Sequence, residues 1–202
     1  MLMQIVLFEG FDPLDVVAPF EVLAAGADLA GRPEDEVRLV AADGPGAVVS
    51  GTRGLTLHAA AAIDPDAPGY VIVPGASGAV DAIPVLLGRF AQSAAVPLVR
   101  SAMGNPRVTV ATVCGGSLAL GMAGLLAGRP AVTHTLGMEA LAATGARAVR
   151  ARVVDDGDLV TAGGVTSGLD LGLHLVEREY GAPVALAVEA LFEYERRGTV
   201  HR

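Results

Sequence analysis

Short apolar runs rich in β-branched residues alternate along the chain with longer stretches of helical period, the pattern of a parallel sheet covered on both faces. Strands are predicted near residues 3–8, 36–41, 70–74, 107–113, 130–133, 148–153 and 158–162. Helices are predicted near 14–25, 80–102, 117–127, 136–143, 166–180 and 183–195. Gly44-Pro45-Gly46 and Gly51 punctuate a polar, alternating stretch up to His58, which reads as a small β-hairpin excursion. No linker, repeat or low-complexity tract divides the chain, so residues 1–202 are expected to form one α/β domain, a doubly wound, mostly parallel, flavodoxin-like sandwich. Ligands of such sheets collect at the carboxyl ends of the strands, which points to the loops after residues 8, 74, 113 and 162.

Composition narrows the function classes. With 52% hydrophobic and 18% charged residues in 202, the chain is large and apolar enough to bury a core. The formal charge is -8 and the 14 basic residues are all arginine, unclustered, so a nucleic-acid backbone finds no electrostatic footprint. The uncharged run Val108–Gly128 between Arg107 and Arg129 has the length of a membrane span. Its first part is β-branched, however, and Gly115-Gly116 divides it into a buried strand and a small-residue helix, so no membrane partner is expected. The N-terminus runs from Met1 to Glu9 and Asp12 without a basic n-region or cleavage site, and a cytoplasmic location is expected. The single cysteine, Cys114, cannot build an intramolecular disulfide, so a reducing compartment is implied and any thiol chemistry rests on that residue.

Cys114 ends the most hydrophobic strand, immediately before Gly115-Gly116-Ser117 and a helix. A side chain on such a turn projects above the sheet, and the amides and positive dipole end of the following helix are expected to lower its pKa and favour a reactive thiolate. The plainer alternative is a small buried hydrophobe. Asp15 follows the first strand, and if that strand neighbours the Cys114 strand the two side chains meet, with the carboxyl pushed toward its protonated form as a proton donor and acceptor. Equally, Asp12 can cap the helix with Pro13 at its first position, and Asp15 can complement the dipole in the first turn. The turn Pro74-Gly75-Ala76-Ser77 either offers the amides of Gly75 and Ala76 as stabilisers of developing negative charge or only reverses the chain.

Of the four histidines, only His134 is placed near the active edge, where it reads as structural or supporting rather than catalytic. His174 is expected mid-helix, His58 in the hairpin and His201 in a frayed end. Asp155-Asp156-Gly157-Asp158 reads as a hydrated hairpin turn between two strands, no spacing resembles a metal site, and no Gly-rich motif supports a nucleotide cofactor.

Leu14-Asp15-Val-Val-Ala-Pro19, Pro74-Gly75-Ala-Ser, Thr112-Val-Cys114-Gly-Gly-Ser through Leu126, Thr133-His134 and Thr161 through Asp170, with Thr166 among them, together resemble the ThiJ/PfpI superfamily of class I glutamine-amidotransferase-like folds, and within it the isocyanide hydratase branch. The resemblance implies a homodimer without metal or organic cofactor, acting on a small molecule: Cys114 attacks the terminal carbon of an isocyanide, Asp15 serves as acid and then base, and an N-substituted formamide leaves. The amides of Gly75, Ala76 and Gly115 are implied to position substrate or stabilise charge, and His134 and Thr166 only to support them. Gly115 stands where those hydratases carry threonine, and it also argues against the superfamily's peptidases, which place histidine directly after the cysteine. A glyoxalase-type or amide hydrolase of the same fold, and a non-enzymatic thiol sensor or small-molecule-binding module, are the alternatives. The chain ends at Arg202 with no helix-turn-helix region, so a regulator form is not expected.

Overall fold

The structure, a computed structural model, describes residues Met1–Arg202. Its elements run β1 (Leu2–Val6), α1 (Pro13–Leu29), β2 (Glu36–Ala41), β3 (Gly46–Val49), β4 (Thr56–Ala59), β5 (Ala61–Ala62), β6 (Gly69–Val73), α2 (Ile83–Ala91), α3 (Ala95–Gly104), β7 (Val108–Val113) and α4 (Gly116–Met122). There follow β8 (Pro130–Ala131), a 3-10 turn (Thr135–Gly137), α5 (Met138–Ala143), β9 (Arg147–Ala148), β10 (Val153–Asp155), β11 (Leu159–Ala162), α6 (Ser167–Tyr180), α7 (Ala182–Phe192) and β12 (Val200–His201).

Eight strands form one sheet in the order β12-β10-β11-β7-β6-β1-β2-β5, and every pairing in it is parallel except β10 with β11. The buried runs Tyr70–Val73 and Val110–Val113 show why the middle is parallel: strands covered on both faces need apolar side chains in both directions. Alternation sorts those side chains into two cores. Met3, Ile5 and Ile72 join α1, α6 and α7 on one face, whereas Val6, Val71 and Val73 join α2, α3 and α4 on the other. The α1–α6 contact is close because it is built on small residues: a Cβ on Gly26 would lie 2.4 Å from Val176, and one on Gly172 would lie 2.8 Å from Val22.

The chain leaves β1 toward β2 on one side and later fills β6 and β7 on the other, so the strand order reverses between β1 and β6. That is the crevice where such sheets bind ligands. The excursion after β2 is the antiparallel hairpin β3–β4, in register Gly46 with Ala59 to Val49 with Thr56.

Four elements differ from the sequence expectation. The helix expected over 80–102 is two, because Ser93 turns its hydroxyl onto the Phe90 carbonyl (2.8 Å) and accepts from the Ala95 amide (3.3 Å), and Pro97 has no N–H to carry a helix through. The helix over 117–127 stops at Met122, and the chain turns through the left-handed Gly124 (φ 72°). The strand over 148–153 divides: β9 pairs with β8 in a two-stranded sheet while β10 belongs to the main one. The C-terminus is not frayed; Val200 and His201 pair with Val153 and Val154 at the sheet edge.

The uncharged run Val108–Gly128 is divided into β7 and α4, and no helix is long and apolar enough to cross a membrane. The acidic turn after β10 is ion-paired rather than merely hydrated. Asp155 binds His174 Nε2 (2.7 Å) and Arg178, while Arg129 binds Asp156 and Asp158.

Candidate active site

β7 delivers Cys114 to the first residue beyond its carboxyl end, where the backbone adopts φ 53°, a left-handed conformation that costs a non-glycine residue about 1–2 kcal/mol. The turn is held from three sides. The Cys114 amide donates to the carbonyls of Ala162 (3.1 Å) and Gly163 (2.8 Å), and the Cys114 carbonyl accepts from the Thr133 hydroxyl at 2.7 Å. Below it, Ser117 bridges Thr112 (2.6 Å) and the Val132 carbonyl (2.6 Å), tying α4 to β7. Gly116 is obligatory there, since a Cβ would lie 2.2 Å from the Val73 carbonyl oxygen.

Asp15 reaches the same point from α1. Asp12 caps that helix, accepting from the Leu14 amide at 2.9 Å with Pro13 following, so capping and the Asp15 placement coexist as separate jobs of separate carboxylates. The Asp15 side chain has no solvent exposure. Its Oδ2 accepts from the Gly75 amide at 2.9 Å, and the carboxyl lies beside the Cys114 thiol with Oδ1 lacking any other partner. Gly75 fits between them only because it has no side chain: a Cβ would lie 2.6 Å from the Gly115 nitrogen, 2.8 Å from Asp15 Oδ2 and 3.1 Å from Cys114 Cβ.

Burial dominates the electrostatics. It pushes the Asp15 carboxyl up to about 8, helped by the Asp12 charge and opposed by the Gly75 N–H. It also pushes the Cys114 thiol up to about 12, helped by the Asp15 charge and opposed by the amides of Val165 and Gly115. The expected acidification by the helix therefore does not win: α4 has only 7 residues, and two amides cannot offset desolvation beside a carboxylate. The two groups act as one acid that loses its first proton near 8 and holds the second far above neutrality. Because Oδ2 is occupied by the Gly75 N–H, the proton of the neutral carboxyl belongs on Oδ1.

Cys114 opens into a cavity of about 500 Å³, walled by Val80, Ile83, Leu87, Leu118, Met122 and Leu136 and bordered by Asp12, while Asp15 lies outside the wall, fully buried. His134 lines it, but its Nδ1 accepts from the Leu136 amide (3.2 Å), which places the hydrogen of the neutral ring on Nε2. Ala76 and Gly115 border the cavity as expected, whereas the Gly75 amide is committed to Asp15 and does not face a ligand. Thr166 is not in the wall; its hydroxyl accepts from Arg152 at 2.9 Å. Two participants escaped the sequence reading. Val165 (φ 27°) presents its amide to the sulfur through a strained turn no propensity announces, and Leu87 reaches the elbow from α2 only through tertiary packing. No group of three or more His, Cys, Asp or Glu side chains is arranged to hold a metal ion.

A doubly wound sheet with a cysteine on the strand-to-helix elbow of its central β7, faced by a buried carboxyl, defines the class of protein. The chain belongs to the DJ-1/PfpI family, which it matches over residues 2–178. It is 35% identical over 191 residues to an isonitrile hydratase of Pseudomonas putida, covering 93% of this chain and 76% of that one. A ThiJ/PfpI family protein from Pseudomonas syringae has the same fold with a TM-score of 0.81 at 26% identity, covering 97% of this chain and 76% of that one. DJ-1beta of Drosophila melanogaster shares the fold at 18% identity, with a TM-score of 0.75 over 96% of this chain and 98% of that one.

Proposed function

We propose that this protein is a cofactor-independent cysteine hydratase that adds water to an isonitrile and releases an N-substituted formamide. The observation that carries the reading is the fully buried Asp15 carboxyl, its Oδ1 without a hydrogen-bond partner, beside a Cys114 that lines a largely apolar cavity. The similarity to a hydratase over nearly the whole chain supports it. A neutral, weakly polar isonitrile suits a cavity walled by aliphatic side chains, whereas an amide hydrolase would gain from polar groups for an oxyanion, and the Gly75 amide is not available for that role.

Cys114 and Asp15 share the work. In the tautomer of the singly ionised pair that carries the thiolate and the neutral carboxyl, sulfur bonds to the terminal isonitrile carbon while the Asp15 proton passes from Oδ1 to that carbon, giving a thioimidate (R–N=CH–S–Cys114) and a carboxylate. Asp15 then accepts a proton from water as the water oxygen bonds to the same carbon. The nitrogen takes up that proton from Asp15, and as the hydroxyl proton passes to Asp15 the C=O bond forms, the C–S bond breaks, and the formamide leaves with the pair restored as thiolate and neutral carboxyl. The net change is one isonitrile plus one water to one formamide. The amides of Gly115 and Val165 hold the sulfur, and His134 and Ala76 flank the substrate.

The protein is proposed to act in the cytoplasm as a homodimer, the exposed Leu14, Val17 and Val49 forming the surface that a second copy covers. Sedimentation checks the dimer. Incubation with aryl and alkyl isonitriles, followed by NMR of the aldehyde-like formamide proton, checks the activity; absence of turnover across the series would overturn it.

A further inference from the structure

The glycines of the elbow are there for different reasons. Gly75 and Gly116 are excluded from carrying a side chain by backbone atoms, at 2.6 Å and 2.2 Å from an added Cβ. Gly115 is not: its φ of -67° and ψ of -9° suit any residue, and the atoms nearest an added Cβ are the two methyl carbons of Leu87, at 2.9 Å and 3.1 Å. The next backbone atom, Gly75 Cα, is at an ordinary 3.5 Å. Residues 115 and 87 therefore compete for one volume, and here Leu87 holds it.

Leu87 is 2% exposed and borders the same cavity as Cys114 and Gly115. On the same helix Leu86 fills the space beside Gly10, where a Cβ would lie 2.7 Å from its Cδ2. Leu87 itself belongs to the core that holds Val71, Val73 and Phe90 on this face of the sheet.

We propose that Leu87 is the specificity-determining residue of this site, setting how wide the group attached to the reacting atom can be beside the Cys114 sulfur. The ligand it selects is uncharged and apolar, with a narrow group just beyond the reacting carbon; in an isonitrile, branching at the carbon bonded to nitrogen meets the Leu87 methyls. This deepens the hydratase reading and rests on Cys114 as the reacting group.

The experiment compares a narrow and a wide member of two reagent pairs on wild type, Leu87→Ala, Gly115→Ala and the double variant. The pairs are iodoacetamide with N-tert-butyl iodoacetamide, read as Cys114 alkylation rates, and n-pentyl with tert-butyl isonitrile, read as kcat/KM. Leu87→Ala is expected to raise the wide-to-narrow ratio at least tenfold, the discrimination that one or a few methyl groups command. Gly115→Ala lowers it, and adding Leu87→Ala to Gly115→Ala restores it. Leu87→Val, with an intermediate ratio, replaces Leu87→Ala if thermal melting shows the latter unfolded. Ratios unchanged from wild type in a folded Leu87 variant would overturn the proposal. Should no isonitrile turn over, the hydratase reading fails, and the alkylation ratios still decide the role of Leu87.

Discussion

The Gly75 amide donates to Asp15 Oδ2 at 2.9 Å, leaving Oδ1 of the same buried carboxyl without a hydrogen-bond partner. One backbone hydrogen bond thereby decides which oxygen carries the proton and where it can be delivered.

The pH dependence of thiol reactivity follows from the coupling. Below about 8 both protons stay on the pair, so the rate of Cys114 alkylation and the kcat/KM for an isonitrile should rise about tenfold per pH unit and level off near 8. In Asp15→Asn the thiol titrates alone, and burial moves the profile to a more alkaline midpoint. Stopped-flow alkylation measures both; identical profiles in the two proteins would count against the pairing.

Asp15 should also cost stability. Its folded pKa, about 8, lies above the 3.8 of an unperturbed carboxyl, so the proton it binds favours the folded state at low pH, and that advantage is lost as pH rises from 3.8 to 8. Asp15→Asn, which cannot ionise, should be roughly 2–4 kcal/mol more stable than wild type at pH 8, with the gain vanishing below about pH 4. Urea unfolding at the two pH values tests the sign, and equal stabilities at pH 8 would argue that the carboxyl is not desolvated.

Gly75→Ala should damage the site more than the fold. The added Cβ meets the Gly115 nitrogen at 2.6 Å and Asp15 Oδ2 at 2.8 Å, so the pair must separate. A loss of about a hundredfold in kcat/KM, with about 1–3 kcal/mol of stability, is expected. Gly46→Ala, where an added Cβ has nothing within 4 Å, should leave both unchanged and serves as the control.

Arg152 anchors the strained turn that carries Val165. It donates to Asp170 Oδ2 (2.7 Å) and Thr166 Oγ1 (2.9 Å), and the buried Asp170 carboxylate also accepts from Tyr194 (3.0 Å) and the Arg197 amide (2.7 Å). Arg152→Ala leaves that buried charge without its cation and should cost about 3 kcal/mol, lowering Tm by roughly 6–12 °C. Calorimetry of Arg152→Ala against Arg152→Lys checks it, the lysine variant recovering part of the loss.

Much of the fold was legible because the chain repeats one local message. Buried β-branched strands such as Val108–Val113 and Gly69–Val73 are bounded by glycines and separated by helical periods, and two faces of apolar residues leave a parallel sheet as the only way to bury them. The meeting of Asp15 and Cys114 was legible only as a condition, that β1 and β7 lie close; in the sheet β6 stands between them, and the Gly75 turn at its end brings the two together. The breaks at Ser93 and Met122, the direction of the Cys114 shift and the contact of Leu87 with Gly115 were not legible. Each depends on desolvation or on packing between segments distant in sequence, which local pattern does not encode.

The central claim, that Cys114 carries the isonitrile covalently with Asp15 as its proton partner, is tested most directly by rapid-quench mass spectrometry of the protein during turnover. The account predicts a Cys114 peptide heavier by the mass of one intact isonitrile, absent in Cys114→Ala, with formamide production lost in Cys114→Ala and reduced about 10²–10⁴-fold in Asp15→Asn. Formamide formed at the wild-type rate by Cys114→Ala would contradict it.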